Sequence, residues 1–121
     1  MMHFSASLES LVAQASDAAL VVDESGTVLF ANERACELLK YAAGELNGQR
    51  VEFLMPERYR AAHIGQRLRF TDDRRTRPMG AGLELFVLCK DGSERRVDIS
   101  LNPVQRGLET LIVTTIRVRE P

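Results

Sequence analysis

Apolar positions recur along this chain in two rhythms. Leu8, Leu11, Val12 and Ala15 follow the i, i+3, i+4, i+7 spacing of one helix face, which predicts an amphipathic helix over residues 7–15, with Ser7 as its cap. The rhythm then becomes strand-like. Ala18–Asp23 and Thr27–Ala31 are short apolar runs joined by Glu24-Ser25-Gly26, a hairpin turn in which glycine takes the awkward backbone angle. Asn32 is a good N-cap for a short helix over about 32–40, whose apolar side holds Ala35, Leu38 and Leu39. One further helical turn is expected at 43–46, ending near Asn47-Gly48. Pro56 suits a first helical position and Glu57 suits the positive end of a helix dipole. They predict a longer helix over about 56–70. Residues 71–80 are rich in charge, hold a proline and close on glycine, and read as an exposed loop. Three strands end the chain, Ala81–Lys90, Glu94–Val104 and Glu109–Arg119, turning at Asp91-Gly92 and Arg106-Gly107.

This order predicts an α+β fold: a five-stranded antiparallel sheet with helices largely on one face and an amphipathic helix at the N-terminus. Strand alternation adds a second message. Leu83, Leu85, Val87 and Cys89 share one face, while Phe86 and Leu88 lie on the other with Glu84. In the last strand Leu111 and Val113 oppose Ile112, Ile116 and Val118. Both sheet faces are therefore partly apolar. One covers the core under the central helices. The other needs a cover, because a bare apolar patch of that size is unusual on a monomer. The stripe on the N-terminal helix can supply it, within one chain or from a second copy. A homodimer through this outer face and that helix is the expectation.

Composition narrows the function. The chain has 121 residues, 45% hydrophobic and 27% charged, which fits one ordinary globular domain. Residues 1–6 are expected to fray and 7–119 to form that domain. A net charge of −1 argues against a nucleic-acid partner, which calls for a basic excess. No apolar run approaches the roughly 20 residues of a membrane helix. MMHFSASLES lacks the basic and apolar blocks of a signal peptide. A cytoplasmic location without membrane insertion of this segment is expected. Cys36 and Cys89 have no metal or redox spacing and read as small packed hydrophobes, although Lys90 beside Cys89 would favour a thiolate slightly.

Three segments carry a family resemblance. ESGTVLFANERACELLKY resembles the first hairpin and following helix of PAS domains, with Asn32 at the family's usual asparagine. LNGQRVEFLMPERYRAAH resembles the run into the family's central helix. RPMGAGLELFVLCKDGSERRVDISLNPV resembles its third and fourth strands. The resemblance covers about residues 7–119. It implies a sensory module that binds a small ligand or partner between sheet and helices. It also implies signalling to an effector domain outside this chain, such as a histidine kinase or cyclic-dinucleotide enzyme. The family's exit motif, Asp-X-Thr, is replaced here by IRVREP.

Within the family, LMPERYRAAH resembles the central helix of bacterial oxygen-sensing haem-PAS kinases. That resemblance implies haem as a possible cofactor, with His63 as proximal iron ligand and Arg69 matching a counterpart. Two positions depart from the subgroup. Arg77 stands where it has a propionate-binding histidine, and an arginine still pairs with a propionate. Leu83 stands where it has the distal arginine that bonds oxygen, so tight oxygen discrimination is not expected. Helix geometry leaves His63 open. At about 100° per residue, Ala61, Ile64 and Leu68 form one face, and Tyr59, His63, Gln66 and Phe70 a nearly opposite one. A rim histidine with a local hydrogen bond is the plain alternative.

Catalysis finds little support. Ser93 and Ser100 lack a His-Asp pairing, and MPERYR offers no cysteine for flavin photochemistry. Asp72-Asp73 and Arg74, Arg75 and Arg77 read as a solvated charge cluster. The expected pocket is almost wholly apolar. From the sheet it takes Leu20 or Val22, Leu83, Leu85, Val97, Ile99, Leu101 and Val113. From the helical side it takes Leu38, Phe53, Leu54, Tyr59 and Phe70. Such a lining fits an uncharged apolar ligand, no cofactor at all, or a fully packed dimerisation scaffold.

Overall fold

The computed structural model describes residues 4–57, 60, 77–79 and 85–119. The expected helix over 56–70 therefore lies, apart from Pro56, Glu57 and Arg60, outside the described residues.

Helix α1 spans Phe4–Gln14, starting three residues before the position that the apolar spacing marked. Strands β1 (Ala18–Asp23) and β2 (Val28–Ala31) form the first hairpin. Helix α2 spans Glu33–Leu39 and ends on Lys40, whose φ of 67° is left-handed. The expected helical turn at 43–46 is a series of turns instead. It still carries Leu46 into the core. A 3-10 turn at Val51–Leu54 was not foreseen; runs this short have no period to detect. Strands β3 (Arg77–Met79), β4 (Leu85–Leu88), β5 (Glu94–Arg106) and β6 (Glu109–Val118) complete the fold.

The sheet is antiparallel, with lanes in the order β2-β1-β6-β5-β3 and β4 also paired to β5. Segments β3 and β4 share one lane. Arg77–Met79 lies along Leu101–Ile99, and Leu85–Leu88 along Val97–Glu94. The five-stranded antiparallel sheet expected from the pattern is thus present, its outer lane built from two pieces. Arg77–Met79 falls within the expected loop and is strand. Charge and Pro78 hid it, and a proline is tolerated in an outer lane where one edge needs no donor.

Two apolar layers flank the sheet. The inner layer gathers Leu20, Val22, Val28, Leu39, Leu46, Val97 and Ile116 with their neighbours. The outer layer packs Leu8 and Val12 of α1 on Ala19, Val21, Leu111 and Val113. The outer face is therefore covered within one chain by its own N-terminal helix. In β2 an irregularity after Val21 puts both Leu29 and Phe30 with this outer layer, as a bulge does when it turns one extra residue to the same side.

One buried side chain links these parts. Asn32 is 1% exposed. Its Oδ1 accepts from Ala35 N at 2.9 Å, capping α2, and from Ala19 N at 3.0 Å in β1. Its Nδ2 donates to Val12 O and Asp17 O, both at 2.9 Å. Both lone-pair positions and both N–H groups are used, so the amide has nothing left to lose to burial.

This geometry separates capping from tethering. Aspartate caps a helix as well as asparagine, but its second oxygen would face the Val12 and Asp17 carbonyls. Asn32→Asp is therefore expected to lose nearly as much stability as Asn32→Ala. Both should lose about 2–4 kcal/mol, the scale of several buried groups left unpaired. Urea unfolding with an unchanged slope checks this; an Asn32→Asp midpoint equal to wild type would reduce Asn32 to a cap.

Candidate functional site: the inner sheet face and its hairpin latch

The inner face is set by register. Leu20 stands opposite Thr114, Val22 opposite Ile112 and Ala18 opposite Ile116 across β1 and β6. Across β5 and β6, Leu101 opposes Thr114, Ile99 opposes Ile116 and Pro103 opposes Ile112. Directly opposed residues share a face, so all of these line one wall. The wall is not uniformly closed. Leu20, Leu39, Leu46 and Val97 are fully buried, whereas Leu85, Ile99 and Leu101 are half-buried. The solid part lies under α2, and the looser part lies toward β4 and β5.

Several expected lining residues come together here. Leu20, Val22, Leu54 and Val97 are in the inner core, with Leu38, Leu85 and Ile99 packed against it. Leu101 joins them through its pairing with Thr114. Two others do not. Val113 pairs with Val21 and packs under α1, on the outer face. Alternation separated Val113 from Ile112 correctly, but only the register against β1 fixes which set faces inward. Phe53 is 52% exposed, with the Arg60 guanidinium 5.6 Å from its ring centroid. The 3-10 turn aims Leu54 inward and leaves Phe53 outside. Tyr59, His63, Arg69, Phe70 and Leu83 lie outside the described residues, and Arg77 is described only as backbone opposite Leu101.

The threonines Thr110 and Thr114 were not singled out from sequence. Both are buried, on the same side of β6 as Ile112 and Ile116. The alternation Thr110, Ile112, Thr114, Ile116 was readable, but threonine carries no facing preference of its own in a strand.

A polar latch closes one end of the site. The β4–β5 hairpin docks on the C-terminus of α2. Lys90 N donates to Leu39 O at 2.9 Å, and Cys89 Sγ to Leu38 O at 3.3 Å. These bonds take carbonyls that a helix end leaves unpaired. Lys40 Nζ meets Asp91 Oδ2 at 2.8 Å. Lys90 pairs with Glu45 and lies 5.8 Å from the Tyr41 ring centroid. Asp91 also accepts from Ser93 N and Ser93 Oγ, at 2.9 and 2.6 Å. The bond from Lys40 and then those from Ser93 hold the Asp91 carboxyl far below its ordinary value. The same pair raises Lys40, and Lys90 lowers Glu45. Burial pushes the Cys36 thiol up, so it is a packed hydrophobe and not a ready nucleophile. Among the described residues no group of three or more His, Cys, Asp or Glu is placed to hold a metal.

A five-lane antiparallel sheet, one face under helices and the other under an N-terminal helix, defines an α+β module. The PAS family model matches residues 6–119, and the chain belongs to that family. Solved structures agree on the fold. The PAS domain of an HTR-like protein from Haloarcula marismortui is 23% identical, with a TM-score of 0.76 over 96% of this chain and 92% of that one. A PAS domain from a two-component sensor histidine kinase is 15% identical, with a TM-score of 0.72 over 96% of each chain. The PAS domain of nitrogen regulation protein NR(II) from Vibrio parahaemolyticus is 13% identical, with a TM-score of 0.70 over 93% and 97%. No curated protein matches the chain significantly.

The latch has a pH signature. A carboxylate lowered in the fold contributes stability that is present above its unfolded value of about 3.8 and is lost as pH falls through the folded one. The Lys40 ammonium, raised by the same pair, contributes below 10.5 and is lost as pH rises through its folded value. Carbon-detected NMR titration should place the Asp91 midpoint below those of ordinary aspartates, and Lys40→Ala should move it upward. No movement would mean that Ser93 alone sets it.

Proposed function

We propose that this chain is a sensory module without catalysis of its own. It takes a small neutral ligand, or a partner segment, against the looser part of the inner face, and passes the change through the sheet to an effector domain. The observation that carries this is the contrast along one wall. Beneath α2 the core is filled. At Leu85, Ile99 and Leu101 apolar side chains remain partly accessible, as the lining of a ligand site does. Lane order supplies the route. A shift at β4 or β5 reaches β6, then β1, and from there the buried Asn32 contacts with α1. Ligand binding would act by favouring one of two packings.

The effector belongs to a parent protein. The sensor histidine kinase that carries one of the similar PAS domains supports an effector of that type, or another signalling enzyme. Helix α1 also supports self-association. Leu11 belongs to its apolar stripe and is 70% exposed, although Leu8 and Val12 are in place against the sheet. A second copy meeting Leu11 completes the burial. No described helix is long and apolar enough to cross a membrane, and a cytoplasmic location fits that. A cofactor-free dimerisation scaffold is the competing outcome if the inner face proves solid.

Haem would use His63, with Arg69 and Arg77 near its charged edge. Those side chains lie outside the described residues. The described wall, apolar at Leu85, Ile99 and Leu101, is compatible with the flat body of a haem and equally with smaller ligands. When bound, haem would supply gas or redox sensing.

Two measurements test the reading. Native mass spectrometry and an absorbance spectrum of freshly purified protein should show a small apolar adduct or none, and no Soret band. A Soret band that disappears in His63→Ala would replace the proposal with haem sensing. Light scattering should give a dimer whose dissociation constant rises about tenfold or more in Leu11→Glu, the effect of one charge placed in a buried apolar contact. A monomer at high concentration would remove dimerisation from the mechanism.

A further inference from the structure

The chain has fourteen arginines and only two lysines, and the fold brings both lysines to one seam. Lys40 closes α2 and pairs with Asp91 on the β4–β5 turn. Lys90 comes from the hairpin and pairs with Glu45, in the turns after α2. The two pairs therefore cross the same seam in opposite directions. The seam also holds the backbone bond from Lys90 N to Leu39 O and the Cys89 thiol on Leu38 O. Ion pairs elsewhere use arginine: Arg106 with Glu9, Arg117 with Asp17 and Arg119 with Asp98. Arginine pairs with a carboxylate at least as well, through its rigid fork of donors. Lys40 moreover keeps a side chain at a φ of 67°, where glycine or asparagine is the usual choice. Positive charge alone does not account for lysine at these two positions.

What lysine has and arginine lacks is a nucleophilic amine whose charge can be removed. Acylation turns the ammonium into a neutral amide and takes away an ion-pair and cation–π donor together. Both side chains are within reach of a reagent, 47% exposed at Lys40 and 54% at Lys90. We propose that this seam is a lysine acylation site, and that transfer of a small acyl group from an acyl phosphate or a thioester to Lys40 Nζ and Lys90 Nζ unseats the β4–β5 hairpin from α2. In that step the unprotonated amine attacks the acyl carbon. An N–C bond forms, the acyl C–O or C–S bond breaks, phosphate or thiolate leaves, and the amine proton passes to water. Nothing is oxidised or reduced. Asp91 and Glu45 lose these cations, Lys90 loses its charge near the Tyr41 ring, and Lys40 loses its charge at the C-terminal end of α2, where a helix dipole favours it. The bond to Asp91 holds Lys40 as ammonium, so its amine is available chiefly when the seam opens, and acylation then keeps the pair from re-forming. Exposed pairs contribute little one at a time; the effect falls on the seating of the hairpin and not on the global fold. The switch is independent of the ligand-sensing reading.

Arginine does not take up acyl groups under these conditions, so the chemistry is confined to two side chains. The full chain is incubated with acetyl phosphate and, in a separate arm, with acetyl-coenzyme A, and peptide mass mapping locates the acetyl groups. Both lysines should be acetylated, and the arm that reacts identifies the donor. Amide hydrogen exchange then reads the seam at Lys90 N–H. In the acetylated chain that hydrogen should exchange about fivefold or more faster than in the unmodified one, the scale of two exposed ion pairs lost together. Lys40→Gln with Lys90→Gln should match the acetylated chain. Lys40→Arg with Lys90→Arg should take up no acetyl group at either position and exchange within about twofold of wild type. If the terminal amine is acetylated in both arms and neither lysine is, the seam is not an acylation site. If both lysines are acetylated and Lys90 N–H exchanges as in wild type, acylation does not unseat the hairpin and the proposal fails.

Discussion

Everything on the N-terminal side of this fold converges on one buried amide. Asn32 starts α2, borders β1 and holds the last turn of α1 together with the link that follows it. An unpaired amide at 1% exposure would be among the costliest groups in the molecule. Fully bonded, it fixes three elements relative to one another, because each bond has a narrow distance and angle. Apolar contacts alone would not do this. Leu8 and Val12 against Val21 and Leu111 tolerate sliding, whereas a donor aimed at Val12 O does not. The cover of the outer face and the position of the inner face are thus set by the same residue.

The opposite end is held differently. The β4–β5 hairpin reaches α2 through backbone bonds to Leu38 and Leu39 carbonyls, inside a ring of exposed ion pairs. Exposed pairs contribute little stability. Their effect is to select one seating of the hairpin on the helix end. The fold thus has a buried tether at α1 and an exposed, charge-guided contact at the hairpin.

Much of the fold could be read in the sequence. The N-terminal helix, all three hairpin turns and the last two strands came from spacing and from Gly and Asp at turn positions, because those signals are local. Misses were also physical. Arg77–Met79 pairs as a strand although its residues look like loop, since an outer lane asks only for backbone bonds on one side. The 3-10 turn has no periodicity to find, and it decides that Leu54 enters the core while Phe53 does not. Of the expected site, Leu85, Ile99 and Leu101 fall on one wall and Val113 falls on the other.

The sequence by itself determined which residues alternate, where the chain turns and which family it resembles, because each depends on neighbours a few positions apart. It could not decide which alternating set of β6 faces inward. That choice is made by the pairing of Val21 with Val113 and Leu20 with Thr114, contacts between residues more than ninety positions apart in a chain of 121 residues. A strand's period of two divides its side chains into two sets with equal right to either face. Only the partner strand, seated by Asn32 and covered by α1, tells them apart.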